Sequence, residues 1–219
     1  MKKMLLLLQM LLILFFSVVG HCDDLTPTAV ATKIQEKYER TNAFKADFLQ
    51  TSNISGMQHR ERQGSGTMAI QKPALLRWDY SSPDIQVLVS DGENFSLYFA
   101  SEKQMIVTPA KEYLQEDVTY SFFSGTGNLL RDFDVTDAPG FLDQEGSHVI
   151  ALKPKNPHPQ VEIMYVWVDK DTFLINHLQI QDHLGSLTDL VFFNPVVDKP
   201  FPVEHFHFTP PEGTEIIRQ

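Results

Sequence analysis

The chain has 219 residues, a formal net charge of −10 and one cysteine. That length supports one domain with a sizeable core. Its acidic balance gains nothing from a phosphate backbone or an anionic membrane surface, which argues against nucleic acid and against lasting membrane attachment.

The first stretch reads as a targeting segment. Met1-Lys2-Lys3 is positive, residues 4–19 are almost wholly apolar, and Gly20-His21-Cys22-Asp23-Asp24 turns polar. This is the layout of a secretory signal peptide, and the run is short of the about 20 apolar residues a spanning helix needs. Cleavage is expected after Gly20 or Cys22, leaving residues 23–219 as a single domain. Loss of Lys2 and Lys3 takes the net charge from −10 to −12. His21 stands where a lipidation signal wants a small residue, so Cys22 is read as incidental. No second cysteine exists to pair with it, and the core alone must hold the fold.

Thr26-Pro27 supplies a helix cap and a first-turn proline, and Val30, Ile34 and Tyr38 follow at four-residue spacing. After Thr41-Asn42 the period becomes two. Phe44, Ala46 and Phe48 alternate with Lys45, Asp47 and Leu49 on an expected strand. Further strands are expected at residues 67–70, through Leu76, Trp78 and Tyr80, and through Ile85, Val87 and Val89. Asp91-Gly92 marks a hairpin into residues 95–99, and another strand runs through Met105.

Between Lys111 and Phe133 the alternation stops. Phe122, Phe123, Leu129 and Leu130 cluster around Gly125-Thr126-Gly127, as one or two helical turns would place them. Strands are expected again at residues 149–152, 161–168, 173–180, 187–193 and 205–208. On the second of these Val161, Ile163, Tyr165 and Trp167 are expected to share one face. The pattern predicts an α+β protein, mainly antiparallel β. A sheet face lined by Trp78, Tyr165, Trp167, Phe206 and Phe208 must pack against something. It suits either a filled barrel core or a curved, partly hollow sheet closed by the helical segments.

Catalytic signatures are missing. There is no Gly-x-Ser-x-Gly elbow and no zinc helix motif. His205-x-His207 could be half a metal site, but the same spacing turns both imidazoles away from Phe206 and Phe208, toward water. Asp23-Asp24, Glu116-Asp117 and the pair Asp132 and Asp134 read as solvated acids. No catalytic residue, metal or cofactor is expected.

Several strings resemble the LolA family in order and spacing: Phe44-x-Ala46-x-Phe48-x-Gln50, then Gly64-x-Gly66, Lys72-Pro73, Arg77-Trp78-x-Tyr80, and Val89-Ser90-Asp91-Gly92. Leu178-x-Ile180-x-Asp182-x-x-Gly185 and Phe206-x-Phe208-x-Pro210-Pro211-x-Gly213 complete the set. The resemblance implies an unclosed antiparallel half-barrel with a helical lid over an apolar cavity. It implies a monomeric carrier in the periplasm of a Gram-negative bacterium. Its cargo would be acylated lipoprotein, received from a LolCDE-type inner-membrane transporter and passed to a LolB-type outer-membrane acceptor. A related half-barrel that carries glycolipid or senses mislocalised lipoprotein is the alternative, and a histidine-dependent hydrolase a more distant one.

Under that resemblance the acyl-chain cavity would take Phe44, Phe48, Leu76, Trp78, Val87, Val89, Phe95, Leu97 and Met105 from the first strands. Phe122, Phe123, Leu129 and Leu130 would come from the lid, and Ile163, Tyr165, Trp167, Leu178, Ile180, Phe206 and Phe208 from the later strands. The family's basic residue before the second-strand proline, usually arginine, holds lid carbonyls. Lys72 occupies that place here, with three donors on a flexible stem and no planar fork. Ser96 stands where the family often has tryptophan, which would thin the cavity wall.

Overall fold

The computed structural model describes residues 25–56, 61–116, 118–124, 127–141 and 146–219, with only the backbone at 115, 116 and 119. Helix α1 (Pro27–Arg40) begins where the sequence signals it: the Thr26 hydroxyl accepts the Ala29 amide at 3.2 Å, with Pro27 in the first turn. Its Val30, Ala31, Ile34 and Tyr38 form one buried stripe. The Tyr38 hydroxyl accepts the Ile175 amide at 3.0 Å. Burial pushes that hydroxyl above the ordinary phenol range, against the opposing effect of the hydrogen bond.

Six strands follow: β1 (Ala43–Asn53), β2 (Glu61–Gln71), β3 (Leu75–Ser82), β4 (Gln86–Asp91), β5 (Asn94–Phe99) and β6 (Gln104–Pro109). Three short helices come next, α2 (Ala110–Glu116), α3 (Val118–Ser124) and α4 (Leu129–Asp132). Then come β7 (Phe133–Asp137), β8 (Ser147–Pro154), β9 (Ile163–Asp169), β10 (Ile175–Gln181) and β11 (Leu187–Val197). A 3-10 turn (Val203–Phe206) precedes β12 (Glu215–Arg218).

The strands form one sheet in the order β12-β6-β5-β4-β3-β2-β1-β11-β10-β9-β8-β7. All pairings are antiparallel except β12 on β6. The sheet is not closed, because β12 and β7 lie at opposite ends of this order. The segment from β6 to β7, carrying α2, α3 and α4, spans that seam.

Three expectations change. The insertion holds three helices rather than one or two turns. Strand β7 was hidden because it is short and only Phe133 and Val135 are apolar and half-buried on it. The expected strand at 205–208 is instead the 3-10 turn and its exit, and the final strand is β12. Prolines at 200, 202, 210 and 211 surround that segment and remove the amide donors a ladder needs.

The sheet buries both faces, and this decides which residues can reach an interior. The concave face carries Phe44, Phe48, Met68, Ile70, Leu76, Trp78, Phe95, Met164, Val166, Val168, Leu178, Leu190 and Phe192, packed with α1 and the lid. On the convex face, Ala69, Val87, Val89, Tyr98, Met105 and Val107 are covered by Phe206, with Phe201 and Phe208 alongside. The Arg77 guanidinium donates to the His205 carbonyl at 2.9 Å and fixes that covering segment.

Candidate binding site under the helical lid

At the centre of the concave face sits Phe123 of α3. Its ring stacks on Phe44 at 4.9 Å and meets Tyr38 at 5.4 Å and Phe192 at 4.9 Å, both edge-on. Beside it Phe48, Trp78 and Tyr80 form a second aromatic group, with Phe48 4.7 Å from Trp78 and 4.8 Å from Tyr80. The lid therefore fills the concave face with its own side chain. An apolar ligand can take that place only if α3 withdraws.

Free space remains in the seam. A cavity of about 560 Å³ lies between α2, α3 and the start of β7, walled by Ala74, Ala110, Leu114, Val118, Tyr120 and Phe133. Ser121, Lys111, Arg131, Asp132 and His158 also line it and supply its polar groups. Its volume is that of a small-molecule site, and its walls are mainly apolar.

Among the described residues, hydrogen bonds from one turn and from α1 hold the helical segments in place. Lys72 Nζ donates to the Tyr38 carbonyl at 2.7 Å and the Glu39 carbonyl at 2.9 Å. Both belong to the last turn of α1, where carbonyls lack helical partners and a cation is favoured. Burial lowers the Lys72 pKa, against Glu39 and Asp198, which raise it. The next residue in the same turn holds the insertion itself, since the Tyr120 hydroxyl donates to the Pro73 carbonyl at 2.8 Å. Gln35 joins the two helical segments: its Nε2 donates to the Gly127 carbonyl at 2.8 Å and its Oε1 accepts the Leu129 amide at 3.0 Å. Thus Lys72 reaches α1, while α3 is held through Tyr120. Lys72→Ala is expected to cost about 1–2 kcal/mol and to speed amide exchange in the last turn of α1 first. Unchanged exchange at residues 37–40 would show that the lysine holds nothing.

Of the residues named from sequence, Phe44, Phe48, Leu76, Trp78, Phe95, Phe122, Phe123, Leu129 and Leu178 lie together in the concave core, with Leu97 and Ile180 packed against it. The others do not. Val87, Val89, Met105, Phe206 and Phe208 belong to the convex core. Ile163, Tyr165 and Trp167 also face outward. Trp167 stacks on His177 at 4.0 Å under Phe141, and Met164, Val166 and Val168 hold the inner face instead. Strand β9 is apolar on both sides, and β4 carries its clearer apolar row, Val87 and Val89, on the convex side, so alternation alone could not say which side looks in. Leu130 is 38% exposed, on the lid surface. Ser96 pairs with Val89 and Val107 on the convex side, so it thins no concave wall.

Sequence reasoning missed Met68, Phe192, Leu114 and Tyr120. Phe192 carried a usable signal, lying two residues from Leu190 on an alternating strand. His205 stacks on Phe201 at 4.8 Å. Burial, with the Arg77 guanidinium nearby, holds its imidazole below the usual range. Among the described residues no three His, Cys, Asp or Glu side chains are grouped to hold a metal ion, and no helix is long and apolar enough to cross a membrane.

Comparison with known proteins adds the relationship. The chain is 26% identical over 216 residues to the outer-membrane lipoprotein carrier protein of Pseudomonas fluorescens, covering 97% of this chain and 99% of that one. To the corresponding protein of Legionella pneumophila (strain Paris) it is 25% identical over 213 residues, covering 97% and 98%. The solved structure of an uncharacterized conserved protein from Thermus thermophilus shares the fold at 10% identity, with a TM-score of 0.53 over 88% of this chain and 98% of that one. The family described as outer membrane lipoprotein carrier protein LolA matches residues 39–209, and the chain belongs to that family.

Proposed function

We propose that this protein is a periplasmic chaperone of a Gram-negative bacterium that binds the acyl chains of lipoproteins and carries them between membranes. Residues 1–22 act as the signal peptide, and residues 23–219 form the carrier, a monomer that catalyses no reaction. The cargo arrives from a LolCDE-type transporter in the inner membrane and leaves to a LolB-type acceptor in the outer membrane. The observation that carries this reading is the lid's own ring at the centre of the concave face. Three short helices span the open seam of an apolar half-barrel and plug its centre with Phe123, beside a cavity of about 560 Å³.

The energetics suit a carrier. Each exposed methylene costs about 0.8 kcal/mol, so a free acylated protein aggregates or returns to a membrane. Each 1.4 kcal/mol of excess grip slows release about tenfold. A site closed by its own phenylalanine balances the two, because the lid competes with the cargo for one surface. Acyl chains would meet Phe44, Phe48, Leu76, Trp78, Phe95, Leu97, Leu178 and Ile180 once α3 moves, while Phe122, Phe123 and Leu129 travel with the lid.

The test is release of a triacylated lipoprotein from spheroplasts by added protein lacking residues 1–22. The reading predicts acylated cargo in the supernatant, bound to this chain, and none when the acyl chains are absent. Cargo that stays on the membrane while glycolipid co-purifies would replace this reading with the glycolipid one.

A further inference from the structure

The concave face changes character along β1. Phe44, Ala46 and Phe48 are buried and apolar, and the next inward residues are Gln50 and Ser52. The change falls at Tyr80. Its ring packs edge-on against Phe48 at 4.8 Å, and its hydroxyl donates to Gln50 Oε1 at 2.7 Å. Gln50 Nε2 in turn donates to Ser52 Oγ at 3.3 Å, and Ser52 Oγ lies 3.4 Å from Thr188 Oγ1. Beyond this chain of neutral groups opens a cleft of about 870 Å³ at the end of the barrel. A tyrosine with one side on apolar rings and its hydroxyl among polar groups marks the sort of boundary that lipid interfaces have.

We infer that this polar mouth seats the head of the cargo and selects a neutral, ester- and amide-bearing head over a phosphate head. The inference rests on the acyl-carrier reading and adds selectivity to it. Amide and hydroxyl groups offer donors and acceptors together, which match the ester carbonyls and peptide amides of an acylated N-terminal cysteine. A phosphate wants cations. Among the described residues that line the cleft, Arg62 is accompanied by the carboxylates Glu61 and Asp84, which repel an anionic head. A carrier working between phospholipid membranes gains from that, since it avoids filling itself with the most abundant lipid.

The experiment compares three probes: a synthetic tripalmitoyl-cysteinyl peptide, palmitate, and dipalmitoyl phosphatidylglycerol. Affinities are measured on the parent chain, on Gln50→Leu and on the double variant Ser52→Ala/Thr188→Val. The parent should prefer the lipopeptide to the phospholipid by tenfold or more. Gln50→Leu should lower the ratio of lipopeptide to palmitate affinity about tenfold and the double variant about threefold, as expected for loss of neutral hydrogen bonds. The double variant keeps the Tyr80–Gln50 bond and decides the matter if Gln50→Leu fails to fold. Ratios within twofold of the parent in the folded variants overturn the inference alone, as does a parent that binds phospholipid equally well. A parent that binds no acylated probe overturns the carrier reading as well.

Discussion

Gly66→Ala is expected to lower stability by about 4 kcal/mol or more, the largest effect of an added methyl among the described glycines. A Cβ built on Gly66 would lie 1.8 Å from the Asp79 carbonyl oxygen and 2.8 Å from its carbon. Both are backbone atoms of β3, so no side chain can swing aside to make room. Gly66 pairs with Phe48 on one side and Tyr80 on the other, next to a register shift between Ser65 and Gly66. Parting β2 from β3 would therefore also part Trp78 and Tyr80 from Phe48. Gly64→Ala gives the contrast. There the new methyl meets the Tyr80 ring at 3.2 Å, and a small ring movement relieves it. About 1 kcal/mol is expected. Urea denaturation of the two variants measures both, and a Gly66→Ala protein as stable as its parent would contradict the β2–β3 register.

The second large effect is at Phe123. Phe123→Ala removes the ring that Phe44, Tyr38 and Phe192 surround, and deletion of a buried phenylalanine costs about 3–5 kcal/mol. For a chain of this size that corresponds to a fall in Tm of about 10 °C. The variant should also bind a single acyl chain more readily, because the lid no longer competes for the space between those rings. Calorimetry reads the first effect and titration with palmitate the second. A Phe123→Ala protein that loses stability but binds palmitate no better would mean that the ring is packing alone and not a plug.

Much of this architecture was legible from residues. The cap at Thr26-Pro27, the stripe of Val30, Ile34 and Tyr38, and the alternation of Phe44, Ala46 and Phe48 each gave the correct element and the correct buried face. So did the break in alternation after β6, which locates the lid. The inward faces of β4 and β9 were not legible. Val87 and Val89 look like a core face because they are one, buried under Phe206 on the convex side. Tyr165 and Trp167 are buried in the same direction, under Phe141. A binary pattern records burial, and burial on the outside of a curved sheet leaves the same mark as burial within. The family resemblance placed Lys72 against lid carbonyls, and the carbonyls it meets are those of α1. Those partners were not legible, because nothing local to the Lys72-Pro73 turn encodes a helix over 30 residues earlier in the chain.

The central claim is that acyl chains occupy the concave face, and the two tryptophans test it most directly. Trp78 lies in the concave core, and Trp167 on the convex side against His177. A lipopeptide with spin-labelled acyl chains would be titrated into Trp167→Phe, which keeps Trp78 alone, and into Trp78→Phe, which keeps Trp167 alone. The account predicts strong quenching of Trp78 fluorescence and none of Trp167. Quenching of Trp167 with Trp78 unaffected would place the chains on the convex face and contradict it.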